Sequence, residues 1–438
     1  MSEVLTTTGA RPVSLSVARY VTPVGLLTTF LALLFAIPSN VIVGPLGASA
    51  YPAGLVGVAG FLLWAVASMR GLESRRGWRP ERIGLIAFWT ISLVSYVVLQ
   101  RRGVLPLEAR AADRWLLSLL AWSGVTLVAA DLLRTMDEVR RVLRSLMLAA
   151  SFSATVAILQ FFVGFDLAGV LARIPLLQSN GPLISISSRA GFARVAGTAI
   201  HPIEFGVVCA LAVAIGVHLL MHDHESSHLR RYGTLLLVAV GIPISVSRSA
   251  VLATAIVLLA LALGATFRQR VNGAIVLVGA LVAFHAVTPG LLGTLWAYLF
   301  VNSGSTAITA RTHDYGMVED HVVSFPLVGQ GGGTYIPHVE SQFLDNQYLL
   351  TAIELGLAGV VALLLYVLMP VVLGLMIRHR ARSVELRHLG ITLAGCGLAI
   401  VLVFGTFDAL VFPMFAGVAA LLAGLAGATW RIAREEER

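Results

Sequence analysis

Residues Ala352 to Leu368 read AIELGLAGVVALLLYVL, and this stretch decides the fold. Glu354 is its one charged residue, and the run approaches the roughly 20 residues needed to cross a hydrocarbon layer of about 30 Å. A second run, Val251 to Leu263 (VLATAIVLLALAL), has no charge at all. With these two runs included, the apolar blocks lie at about 21–37, 51–69, 83–99, 115–130, 146–164, 202–221, 233–247, 250–266, 271–288, 346–377, 389–406 and 410–430. The block at 233–247 is short, and that at 346–377 is long enough to tilt or to run past the membrane. No single water-soluble core needs so many such blocks.

Composition agrees. The chain is 57% hydrophobic and 12% charged, with mean hydropathy +0.86, whereas soluble domains carry roughly 25% charged residues. So little charge does not cover a water-facing surface. The expected fold is all-α: one transmembrane domain over 1–438 with about 12 transmembrane helices. The first block is expected to stay as a helix, because no small-x-small cleavage site precedes it.

The net charge of +8 does not signal nucleic acid. All 31 basic residues are arginine, and they sit mostly between the apolar blocks. With the N-terminus in the cytoplasm and strict alternation, 22 arginines fall on the inner side and nine on the outer. That asymmetry predicts cytoplasmic termini and an even number of crossings. Cys209 and Cys396 both lie in apolar blocks and read as buried structural thiols.

Two outer segments are long, and long loops on one side of a membrane protein commonly carry function. Segment 165–200 holds three of the nine outer arginines. Segment 289–345 is expected to be a large extracytoplasmic loop, with Arg311 facing Asp314, Glu319, Asp320, Glu340 and Asp345.

Five clusters carry candidate chemistry. Arg194 precedes Gly197-Thr198 and His201-Pro202. Proline fits the first turn of a helix, and arginine beside a helix N-terminus suits a phosphate. The plainer reading is an interfacial arginine reaching headgroups. Ser247-Arg248-Ser249 is wedged between two apolar blocks; it marks either a hairpin tip or a polar cavity. Arg311, followed by His313 and Asp314, either forms surface ion pairs or meets an anion. Gly329-Gln330-Gly331-Gly332-Gly333 lets a backbone approach a ligand closely, or is only a turn; it lacks the Gly-Lys-Ser/Thr of a phosphate loop. Asp345-Asn346-Gln347-Tyr348 opens the block at 346–377, where an acidic or amide side chain caps a helix or serves as a base. His218 and His222 are four residues apart, but no carboxylate or cysteine completes a metal set. Asp408 is expected to turn the last hairpin.

In their order and spacing these motifs resemble the O-antigen ligase and O-antigen polymerase superfamily of bacterial polysaccharide enzymes, over roughly residues 190–425. The stretch from Phe407-Asp408 to Gly424 is similar to the end of the exopolysaccharide-polymerase branch. The resemblance implies a membrane-embedded glycosyltransferase in the bacterial cytoplasmic membrane. It would transfer a glycan from undecaprenyl pyrophosphate to a lipid-linked acceptor (polymerase) or to another surface acceptor (ligase), with no cofactor, metal or nucleotide. Arg194, Arg248, Arg311, His201, Asn346 and Tyr348 would then bind substrate, and Asp345 would act as base with His338 in reserve. The ligase branch places a histidine directly before the asparagine that opens the late helix. Asp345 stands there instead, which tilts the expectation toward a polymerase. A secondary transporter or flippase is the competing class, and a non-enzymatic assembly partner a third. A loop at 289–345 without a counterpart in the first half weighs against a transporter built from two related halves.

Overall fold

The computed structural model describes residues 22–44, 50–71, 79–165, 167–171, 174, 177–179, 187–189, 192–296, 316, 318–319, 321–337 and 343–437. The chain is mostly helical. Its helices are α1 (Pro23–Ala36), α2 (Pro52–Met69), α3 (Glu81–Arg101), α4 (Pro106–Leu132), α5 (Met136–Val163), the short α6 (Leu167–Leu171), α7 (Pro202–His222), α8 (His228–Ile244), α9 (Arg248–Gly264), α10 (Phe267–Val287), the short α11 (Leu291–Trp296), α12 (Gln347–Val367), α13 (Met369–Arg380), α14 (Val384–Val403) and α15 (Pro413–Glu436). Two small antiparallel ribbons accompany them. β1 (Val41–Val43) pairs with β2 (Leu177–Ser179), placing Val41 opposite Ser179, and β3 (Ser187–Arg189) pairs with β4 (Phe192–Arg194).

The helix starts follow local chemistry. Proline stands at the first turn of α1, α2, α4, α7 and α15, where its missing N–H is no loss. Thr22, Thr135, Ser227, Thr266 and Ser383 accept a backbone N–H of the turn that follows, as N-cap residues do.

Among the described residues, nine helical stretches are long and apolar enough to cross a membrane, with Gln347–Arg380 taken as one. The apolar helices α1 and α9 are shorter. Nine of the dozen or so expected crossings are thus matched by such stretches among the described residues, and most of the loop expected at 289–345 lies outside the described residues. α7 and α15 form the centre, burying 83% and 89% of their apolar stretch, while α10 buries 0%. On α10, Ile275, Val276, Val278 and Val282 all face outward. An apolar surface of this kind fits lipid.

Close packing rests on small residues. A Cβ on Gly124 of α4 would overlap the Gly57 carbonyl of α2, and Gly374 of α13 lies against the Gly390 carbonyl of α14. Without water to drive helices together, such close backbone approach supplies the dispersion contacts.

Polar contacts divide between the two ends of the bundle. At one end Asp131 is fully buried, with Arg79 at 3.1 Å, Arg82 at 2.5 Å and the Trp64 indole N–H at 2.8 Å. Arg140 pairs with Glu385, Arg144 with Asp223, and Arg382 donates to the Glu437 carbonyl. These contacts join the segments at 79–82, 131–144, 223–225, 382–385 and 437 in one arginine-rich layer. Burial pushes the Asp223 carboxyl up, but the two Arg144 hydrogen bonds and Ser226 outweigh it and hold the group well below the usual range.

Candidate functional site

At the opposite end, α7, α9, α12 and α15 all begin around one turn, residues 404–412. His201 is extended and caps α7, its Nδ1 accepting from the Ile203 N–H at 3.2 Å; its ring lies 5.7 Å from that of Phe412. Ser247 caps α9, accepting from the Ala250 N–H, and Ser249 and Thr406 share a hydroxyl hydrogen bond of 2.8 Å. Gln347 opens α12. Its N–H donates to the carbonyls of Phe404 and Phe407, and its Oε1 accepts from the Leu410 N–H at 2.8 Å.

Glu204 holds α15 to α7. It is fully buried; Oε1 accepts from the Met414 and Phe415 N–H groups at 2.7 and 3.1 Å, and Oε2 from the Ile200 N–H at 2.9 Å. The free amides at the start of α15 are thereby satisfied by a carboxylate from another helix. Upstream, the run after Arg194 is clamped to α5. Gln160 exchanges two 2.8 Å hydrogen bonds with Gly197, and Ser153 accepts from the Thr198 N–H and hydroxyl. Four helix N-termini converge on this turn, each favouring negative charge, and at α15 the Glu204 carboxylate already supplies it.

The glycine run has a specific partner. Gly356 breaks α12, with φ 68° and ψ −173°. The backbone groups left open by the break are taken by residues 326–331. Gln330 N–H donates to Ile353 O and Gly331 N–H to Glu354 O, while Leu357 and Ala358 N–H donate to Pro326 O and Leu327 O, all within 3.1 Å. Non-helical backbone at membrane depth persists only when satisfied in this way or lining water. Glu354 is buried, and its Oε1 accepts from the Tyr335 N–H at 3.3 Å. Gly332 packs on Trp115 of α4. The glycines of this turn meet a broken helix.

The residues singled out in the sequence fall as follows. Arg194 ends β4 and is buried at 8% exposure. Arg248 is the first residue of α9 and is exposed. Asn346, not Asp345, caps α12: its Oδ1 accepts from the Tyr348 and Leu349 N–H groups at 2.9 and 3.2 Å. Tyr348 donates its hydroxyl to the Val401 carbonyl at 2.6 Å, which ties it to α14. Asp345 is exposed and stands one residue before the N-cap. Arg311 and His338 lie outside the described residues. His201, the Ser247–Ser249 segment and Asn346 are therefore gathered at the 404–412 turn.

Sequence reasoning assigned no role to Glu204 or Gln347, although Glu204, one turn into an apolar helix, was a visible signal. It also gave Asp408 only a turning role. Asp408 precedes a short 3-10 turn, Ala409–Val411. Burial pushes its carboxyl up to about 7, with the nearby Asp345 charge adding to the effect and a backbone hydrogen bond opposing it. A carboxyl near neutrality both accepts and gives a proton at working pH. No protein-family model and no curated protein matches the chain. The site is therefore argued from its chemistry: Arg194 and Arg248 near converging helix N-termini, the Asp408 carboxyl within reach of the Asp345 charge, and backbone held at a helix break. Val246, just before Ser247, is the one non-glycine residue with positive φ (46°) among the described residues. For a β-branched side chain that conformation is strained, and strain of this kind gathers at functional sites.

Proposed function

We propose that this chain is a membrane glycosyltransferase of the polysaccharide-polymerase type. It would move a glycan from an undecaprenyl-pyrophosphate donor to a lipid-linked acceptor at the outer face of the bacterial cytoplasmic membrane. The supporting observation is the convergence of His201, Ser247-Arg248-Ser249 and Asn346 on the 404–412 turn. These are the motifs whose order resembles the O-antigen ligase and polymerase superfamily. The arginine-rich layer is taken to face the cytoplasm.

In this reading, Arg194, Arg248 and Arg311 stabilise charge on the leaving pyrophosphate, which arginine suits because its fork pairs two phosphate oxygens and stays charged. Asp345, with Asp408 beside it, takes the proton of the acceptor hydroxyl as the new glycosidic bond forms and the bond to pyrophosphate breaks. The test has two arms. Deleting the gene in its host should shorten cell-surface or secreted polysaccharide. Restoring the chain with Arg194, Arg248 or Arg311 changed to Ala should lower product by roughly 10²–10³-fold at equal protein level, with Lys rescuing poorly. Normal polysaccharide in the deletion, or normal product from all three Ala variants, would overturn the proposal.

One observation favours a second reading. The break at Gly356 within a long apolar helix is the form in which transporters build substrate sites. A flippase would move the lipid-linked donor across liposomes without lengthening the glycan, whereas a polymerase would lengthen it.

A further inference from the structure

At the arginine-rich end, α7 finishes with His218 and His222 one turn apart, and His388, in the second turn of α14, faces them. The ring centroids of the three lie 5.0 to 5.3 Å from one another. Each ring offers one nitrogen such that the three atoms all fall within 4.8 Å, and the Nδ1 atoms of His218 and His388 are already 3.0 Å apart. His218 is buried at 1% exposure.

The hydrogen bond between His218 and His388 uses one N–H and one lone pair. It leaves the third ring unserved. His222 Nε2 is buried and has no hydrogen-bond partner among the described residues. A buried polar atom in that state carries a cost, and it asks for an explanation such as an ion.

We propose that His218, His222 and His388 bind a divalent transition-metal ion of the zinc class, clipping α7 to α14. Imidazole nitrogen suits zinc and its neighbours among the late first-row metals. With Zn–N bonds of about 2.1 Å in tetrahedral geometry, ligand atoms sit roughly 3.4 Å apart. The pair at 3.0 Å lies close to that spacing, and a separation of up to 4.8 Å closes by about 1.4 Å, shared between two side chains. Three histidines leave a fourth position for water. Glu385 on α14 and Asp223 after α7 add negative charge nearby, each paired with an arginine, Arg140 and Arg144 respectively. The other ends of α7 and α14 are His201 and Phe404, so the ion would fix the spacing of two helices that reach the 404–412 turn.

The motif was half visible in sequence as His218 and His222, and only folding brings in His388, 166 residues after His222.

The experiment uses the full chain in detergent with its affinity tag removed. Zn²⁺ is titrated and metal content measured after dialysis. Co²⁺ serves as the spectroscopic probe, because its visible absorption reports coordination geometry. The expected result is one Zn²⁺ per chain, a Co²⁺ absorption band displaced by Zn²⁺, and a higher unfolding temperature with Zn²⁺. His388→Ala should weaken binding at least tenfold, since losing even an outer-shell partner costs about 10–100-fold. His222→Gln, at a partly exposed helix end, should do the same even if His388→Ala fails to fold. Sub-stoichiometric metal in the wild-type chain, or unchanged binding in His222→Gln, would overturn the proposal.

Discussion

Gly329 and Gly356 mark the two sides of one joint, each with φ of 68°. A Cβ on Gly329 would overlap the Glu354 carbonyl, and a Cβ on Gly356 would overlap the Leu327 carbonyl. The loop and the broken helix therefore approach backbone to backbone, and the two glycines permit it. Changing either to Ala puts a Cβ at positive φ, at Gly356 in a region that is essentially glycine-only, and adds a backbone overlap that no side-chain rotation relieves. Both Gly329→Ala and Gly356→Ala should lower the unfolding temperature in detergent and, on the proposed polymerase activity, abolish product. Gly273→Ala, on the outer surface of α10 with open space around it, should do neither.

Glu204 makes a sharper case for a buried carboxylate. Its two oxygens accept from Ile200, Met414 and Phe415. Glutamine keeps one accepting oxygen but turns an NH₂ toward backbone donors. Breaking such a buried set costs about 1–3 kcal/mol for each group left unsatisfied. Glu204→Gln should therefore unfold at a clearly lower temperature. Glu385→Gln, at the other end and half-buried against Arg140, should lose less. Equal losses in the two variants would remove Glu204 from its role in joining α7 to α15.

How much of this was legible in the sequence depends on range. Helices such as α4, α7 and α15 show in the apolar blocks because every residue of a crossing meets lipid or protein. Capping by Asn346 and the proline at α7 are local and were readable as types. Which of Asp345 and Asn346 caps was not, since both residues cap well. The joint of Gly329 with Gly356 spans 27 residues, and a glycine pattern carries no information about its partner. Glu354 gave no sign that its helix breaks two residues later. Asp408 looked like a turn residue because its burial comes from neighbours distant in sequence.

Asp408 predicts a pH dependence. Its folded-state carboxyl lies near 7, above the ordinary range near 3.9 expected in the unfolded chain. The folded protein thus holds this proton more tightly than the unfolded one. Its contribution to stability is full below about pH 4 and is lost as pH rises to about 7, with a slope of up to about 1.4 kcal/mol per pH unit. Unfolding temperature followed from pH 5 to pH 8 should fall through this term, and Asp408→Asn should flatten the slope. Asp223 works in the opposite direction, since its folded carboxyl is depressed. Its contribution is present above about pH 4 and lost on acidification, outside the window of the measurement. An unchanged slope in Asp408→Asn would remove Asp408 as the source.

Asp345 is the last and most consequential test. An acceptor hydroxyl is a poor nucleophile until a base within hydrogen-bond reach takes its proton. Asp345 is exposed at the start of α12 and interacts with Asp408, whose carboxyl it helps to raise. Because Asn346 supplies the cap through two hydrogen bonds, the effects of the two residues separate cleanly. Asn346→Ala should cost about 1 kcal/mol of stability while product forms in proportion to folded protein. Asp345→Asn should leave the unfolding temperature nearly unchanged and lose polymer while lipid-linked donor still binds. Asp345→Asn should also relieve the repulsion on Asp408, so the pH at which Asp408 titrates should fall. If Asp345→Asn makes polymer of normal length, Asp345 is not the base. Loss of polymer in Asp408→Asn alone would then assign the proton transfer to Asp408.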